Sequence, residues 1–150
     1  MTAIGKWSLS AVGLTTVLST ELNSLGNTNQ SAASAAYANQ TNLDLYVDIE
    51  VALASLSPTA GAYVALYILE AVDGSNYPAQ SAADLRLTIS QLLASIPVGI
   101  TASTAQRVVY RQAIIPPGSF KIILDNQCGA NLNASGNTVK FLPYDINLNG

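Results

Sequence analysis

The chain has 150 residues, 49% of them apolar and only 10% charged, where an ordinary soluble domain carries about 25% charged residues. Nine acidic and six basic residues leave a formal net charge of −3, and there is no histidine. These totals exclude a Ser-His-Asp or Cys-His constellation, and the single Cys128 excludes an intramolecular disulfide and a cysteine-cluster zinc site.

The basic residues, Lys6, Arg86, Arg107, Arg111, Lys121 and Lys140, are scattered. A nucleic-acid partner needs them clustered to displace phosphate counterions, so none is expected. No apolar run approaches the roughly 20 residues of a membrane span, so no membrane partner is expected either. The length fits one domain.

In chain order, Ile4, Trp7 and Leu9 read as an extended arm or an edge strand. Leu14, Val17, Leu18, Leu22 and Leu25 recur at helical spacing before Gly26, a C-cap residue, which predicts a short helix near 15–25. Asn27 to Asn42 is built of Asn, Gln, Ser, Thr and Ala around Tyr37 and reads as a connector.

From Leu43 to Leu53, apolar residues alternate strictly with Asp44, Tyr46, Asp48, Glu50 and Ala52. Period two means a strand with one buried and one wet face. After the break at Ser57-Pro58-Thr59-Ala60-Gly61, Ala62 to Val72 is apolar on both sides, or has a second face that meets a partner. Asp73-Gly74-Ser75-Asn76-Tyr77-Pro78 is a tight turn. A loop to Asp84 precedes a strand carrying Leu85, Leu87 and Ile89, and the run on to Ile96 fits either a bend or a helical turn.

Gln106 to Ile115 and Ser119 to Asp125 are strand-like around Pro116-Pro117-Gly118 and read as a hairpin. Asn126 to Asn137, which contains Cys128, reads as a loop; Thr138 to Tyr144 is a last strand, and Asp145 to Gly150 a loose tail. Seven or eight strands divided by turn signals predict an all-β protein, a sandwich or barrel. Stacking two sheets into a two-sheet β-sandwich suits the alternation at 43–53. The expected organisation is an arm, helix and connector over 1–42, a sandwich core over 43–145 and a tail over 146–150.

Few groups are placed for chemistry. Asp44, Asp48 and Glu50 share the wet face of one strand and offer a cation relief from their repulsion. A solvated face is the plainer reading, because calcium takes about six to eight oxygens from a curved loop. Asp73, Gly74, Asn76 and Tyr77 offer an acid, an amide and an aromatic platform to a sugar, or simply make a turn that bonds its own backbone. Arg107 and Arg111 flank Tyr110 and are expected to pair with carboxylates on a neighbouring strand. Trp7 is either core or a partner anchor. Ile4, Trp7, Leu9, Tyr63 and Tyr67 are the expected partner-binding residues, and no cofactor is expected. Asn39-Gln40-Thr41 and Asn133-Ala134-Ser135 match the glycosylation pattern, as chance allows in an Asn-rich chain.

Leu43-Asp44-Leu45-Tyr46-Val47-Asp48-Ile49-Glu50-Val51, then Gly61-Ala62-Tyr63-Val64-Ala65-Leu66-Tyr67-Ile68-Leu69, then Asp73 to Pro78, Pro116 to Lys121 and Ala134 to Thr138, make a pattern that resembles small head proteins of tailed bacteriophages. The resemblance covers roughly residues 40–145 and points to capsid cement, or decoration, proteins. It implies a jelly-roll sandwich on the outer surface of the virion that clamps neighbouring copies of the major capsid protein. It further implies self-association, as a dimer in the first place or a trimer, and no enzyme activity. The alternatives are a tail or head-fibre subunit, or a carbohydrate-binding β-sandwich module.

Overall fold

The computed structural model describes residues 4–78 and 91–149. Two antiparallel sheets face each other as a β-sandwich. The front sheet holds β1 (Ile4–Leu9), β9 (Thr138–Asn149), β4 (Tyr46–Leu56) and β7 (Thr104–Ile114) in that order, and β2 (Thr15–Leu18) also pairs with β9. The back sheet runs β3 (Tyr37–Ala38), β8 (Ser119–Gln127), β5 (Tyr63–Ala71), β6 (Leu92–Pro97). From β2 onward every connection changes sheets except β5 to β6.

Alternation drives this architecture. On β4, Val47, Ile49, Val51 and Leu53 are at most 2% exposed. They meet Val64 and Leu66 of β5 and Phe120, Ile122 and Leu124 of β8 in one core, with Val139 and Phe141 of β9. Each such aliphatic contributes about 1.5–3 kcal/mol by leaving water.

The alternation holds only from Val47 onward. Leu43 and Leu45 are 58% and 43% exposed, whereas Asp44 is 6% exposed. The chain turns here: Leu43 has φ of 53° and its N–H bonds the Asn39 carbonyl, 2.8 Å away. The buried Asn39 amide then binds the Asp44 backbone at both N–H and C=O and reaches the Pro116 carbonyl. The strand therefore begins at Tyr46, and the pattern upstream of it belongs to the turn.

The helix expected near 15–25 is a short strand, Thr15–Leu18, and a single 3-10 turn, Thr20–Leu22. Thr15, Thr16 and Val17 are β-branched and favour extended backbone, and open backbone on β9 captures them. Leu18 and Leu22 still reach the core while Leu14 is 56% exposed, so the helical spacing marked burial in part and conformation wrongly.

The connector is not free chain. Thr28, Ser31 and Ser34 donate backbone N–H groups to Asn126, Leu124 and Ile122 carbonyls of β8. The Ser31 and Ser34 hydroxyls accept the N–H groups of Leu124 and Ile122. Two serines thus stand in for a regular ladder and close the β8 edge.

Ser119–Gln127 does not form a hairpin with Thr104–Ile114. β7 pairs with β4, while β8 pairs with β5 and β3. The prolines at 116 and 117 lack N–H donors for a tight ladder turn, and the chain crosses to the other sheet there. The loose tail is strand: β9 continues to Asn149, opposite Ile4. Leu92–Pro97 is a strand rather than a bend or helical turn. The strand expected at Leu85 to Ile89 lies outside the described residues. Among the described residues no helix is long and apolar enough to cross a membrane.

Candidate interaction face

The front sheet turns its second face outward, and cross-strand pairing lines up its side chains. Leu9 lies opposite Tyr144, Tyr144 opposite Tyr46, and Tyr46 opposite Ile114. One row of apolar and aromatic residues therefore crosses four of the five strands of the sheet. The next row begins with Trp7 opposite Ile146. Paired residues in antiparallel strands share a face and touch. Leu9, Ile114 and Trp7 are 67%, 66% and 63% exposed.

The aromatics hold one another in place. Trp7 packs edge-on against Tyr144 at 5.3 Å and against Tyr46 at 6.5 Å, and the two tyrosines stack at 5.7 Å. Such geometry contributes about 0.5–1.5 kcal/mol per pair beyond burial. It fixes Trp7 while leaving most of its ring open.

Asp48 and Glu50 sit on the same face and have separate partners. Asp48 Oδ1 accepts the Tyr144 hydroxyl and the Gln112 N–H, each at 3.0 Å. Burial, then the bond to Asp48, pushes the Tyr144 phenol up to about 12. Glu50 accepts Arg107 Nε at 2.9 Å, with Lys140 Nζ 3.6 Å from its other oxygen. The Arg107 hydrogen bond holds the Glu50 carboxyl below the usual carboxylate range. The expected pairing of Arg107 with a carboxylate on the adjacent strand is present; Arg111 has no ion pair among the described residues.

Asp44, Asp48 and Glu50 do not converge. Asp44 lies in the turn before β4, and the described residues hold no cluster of three metal-ligating side chains. The 73–77 loop is closed on itself. Asp73 accepts the N–H groups of Ser75 and Asn76 and the Asn76 side-chain amide. The Asn76 bonds, backbone first, lower its carboxyl to about 2. The Tyr77 hydroxyl meets Ser119 Oγ at 2.5 Å, and Lys121 Nζ lies 4.6 Å from its ring centre. The polar edge and one face of the Tyr77 ring are thus occupied.

Of the expected partner-binding residues, Trp7 and Leu9 lie on the outer face of the front sheet and Tyr63 and Tyr67 on the opposite surface. Ile4, Trp7 and Leu9 lie on β1, where Ile4 pairs with Asn149. Tyr63 and Tyr67 lie on the back sheet, out of phase with the core residues Val64 and Leu66. Tyr67 is half-buried against Leu69, Ile123 and Ala33, and burial raises its phenol above the ordinary value. The structure brings Trp7 and Leu9 together with residues that composition alone did not mark: Tyr46, Ile114, Tyr144 and Ile146. The signal for Tyr46 lay in the alternation itself, which put it on the wet face. For the rest, strand partners had to be known.

Comparison with protein-family models, curated proteins and solved structures gives no match.

Proposed function

We propose that this chain is a structural virion component, a capsid cement protein whose front sheet seats on the lattice of the major capsid protein. The observation that carries the reading is the Leu9–Tyr144–Tyr46–Ile114 row with Trp7 and Ile146 beside it. Leu9, Ile114, Trp7 and Ile146 are exposed around the buried Tyr144, and exposed apolar residues gathered on one face mark a partner site on a soluble protein. Trp and Tyr are also the residues that dominate interface energetics.

A standard contact covers about 800 Å² per partner, about a tenth of this protein's 8179 Å² surface. Many copies on a rigid shell need only modest affinity each, because neighbouring contacts reinforce one another. The strand order β2-β9-β4-β7 facing β3-β8-β5-β6 supports the jelly-roll reading: sheet-changing connections on both sides of β5–β6 wrap the chain as two Greek keys. The outer surface of the head is the corresponding location.

The test is co-sedimentation of the purified full chain with shells assembled from the major capsid protein of the particle that encodes it. Saturable addition at a fixed copy number per shell is the expected result. No addition to assembled shells overturns the reading.

A further inference from the structure

We infer that the groove between Trp7 and Arg111 is the seat of one protruding segment of the partner protein, an apolar side chain flanked by a carboxylate. This rests on the docking reading above and goes further by naming what the face recognises. The groove has a volume of about 370 Å³, toward the small end of ligand pockets. Trp7 and Leu9 form one wall, Arg111 and Gln112 the other, and Asp48, Leu142 and Tyr144 line it with them.

A β-bulge builds the polar wall. Between the pairs Val47–Ala113 and Ile49–Tyr110, the single residue Asp48 faces both Arg111 and Gln112. Gln112 takes φ of 58°, and its N–H turns to Asp48 Oδ1 instead of a ladder carbonyl. Bulges re-aim side chains in this way, and here the re-aimed side chain is Arg111. A left-handed glutamine persists only where its surroundings hold it; the Asp48 carboxylate does so.

Charge says what the groove accepts. On this face Glu50 is met by Arg107 and Lys140, and Asp48 Oδ1 by Tyr144 and Gln112. Arg111 has no carboxylate partner among the described residues. Among the described residues, three cations (Arg107, Arg111, Lys140) against two anions (Asp48, Glu50) give the face +1, on a chain of net −3. An incoming carboxylate meets a planar guanidinium fork, the strongest pairing available to it. The incoming apolar group meets Trp7, Leu9 and Leu142. A sugar fits less well, because one Asp48 oxygen is already committed and the flanking residues, Ile146 and Ile114, are apolar.

The experiment compares wild type, Trp7→Ala, Arg111→Gln and Arg111→Glu for affinity to the same assembled shells, with thermal unfolding of each as a check on folding. Both Trp7 and Arg111 are exposed, so the variants are expected to fold. Trp7→Ala and Arg111→Glu are expected to weaken shell binding about thirtyfold, as hot-spot truncations do. Arg111→Gln loses less and flattens the salt dependence of binding. If wild type binds shells and the folded variants bind equally well, the groove assignment is overturned while the docking reading stands. If wild type does not bind shells, the docking reading itself has failed. Should an oligosaccharide array capture wild type but not Trp7→Ala, the groove belongs to a sugar and the assignment is again overturned.

Discussion

The Asp48 carboxylate and the Tyr144 hydroxyl, 3.0 Å apart, join the two central strands of the front sheet on its outer side. The same oxygen holds the Gln112 N–H of the β7 bulge. One carboxylate thus ties β9, β4 and β7 together beneath the aromatic row. Removing it leaves a buried phenol and a backbone donor without their acceptor. Asp48→Ala is expected to cost about 1–3 kcal/mol, read by urea denaturation, with Asp48→Asn costing less because an acceptor oxygen remains. A variant as stable as wild type would show that the bulge stands without Asp48.

Tyr144 supplies a pH signature of the same contact. Its phenol is raised from the ordinary 10.0 to about 12, first by burial and then by Asp48. The folded state therefore keeps a proton that the unfolded state releases. That contribution to stability is complete below about pH 10 and is lost as pH rises toward 12. Ultraviolet titration of wild type minus Tyr144→Phe should isolate one phenol with this late midpoint. In Asp48→Asn the midpoint should move down.

Much of the core was legible because strand period and burial coincide from Val47 to Leu53. The errors share a physical cause. Leu18 and Leu22 satisfy both helical spacing and a strand followed by a turn, and only the open backbone of β9 decides between them. The supposed hairpin failed because two strands adjacent in sequence joined different sheets, which periodicity does not encode. The proposed docking face was half legible. Trp7 and Leu9 were marked, but Tyr144, Ile146 and Ile114 join them only through strand register. The burial of individual asparagines was not legible. Asn39 is 1% exposed and braces a turn, so it cannot accept a glycan in the folded protein.

Asn126 makes the same point energetically. It is fully buried; its amide nitrogen donates toward the Leu25, Gly26 and Ala130 carbonyls, and its oxygen accepts the Cys128 N–H. Asn126→Ala strands these groups and is expected to cost about 1–3 kcal/mol or more, lowering the thermal midpoint. Asn133→Ala, at an exposed position with one amide bond to Ser55, is the control and should cost less. Equal losses would contradict the bracing role.

Cys128 reports global opening. It is buried with its sulfur 3.7 Å from the Tyr63 carbonyl, and burial raises its thiol to about 11. The thiolate is the reactive form, so a thiol reagent at pH 8 should label the native protein at the rate of unfolding only. Rapid labelling without denaturant would contradict the packing around β8.

Trp7 is the sole tryptophan and is 63% exposed. Its emission in the free protein should be that of a wet indole. Addition to shells should shift it to the blue and protect it from acrylamide. Unchanged emission on addition would place the contact on another surface.

Cryo-microscopy of shells of the proposed capsid partner with this chain added tests the central proposal most directly, because it records which side of each subunit is covered. The outer face of the front sheet should lie against the major capsid protein, with Trp7, Tyr46, Ile114 and Ile146 out of water. Subunits whose front sheet points to solvent, with no neighbour over that face, would contradict the account.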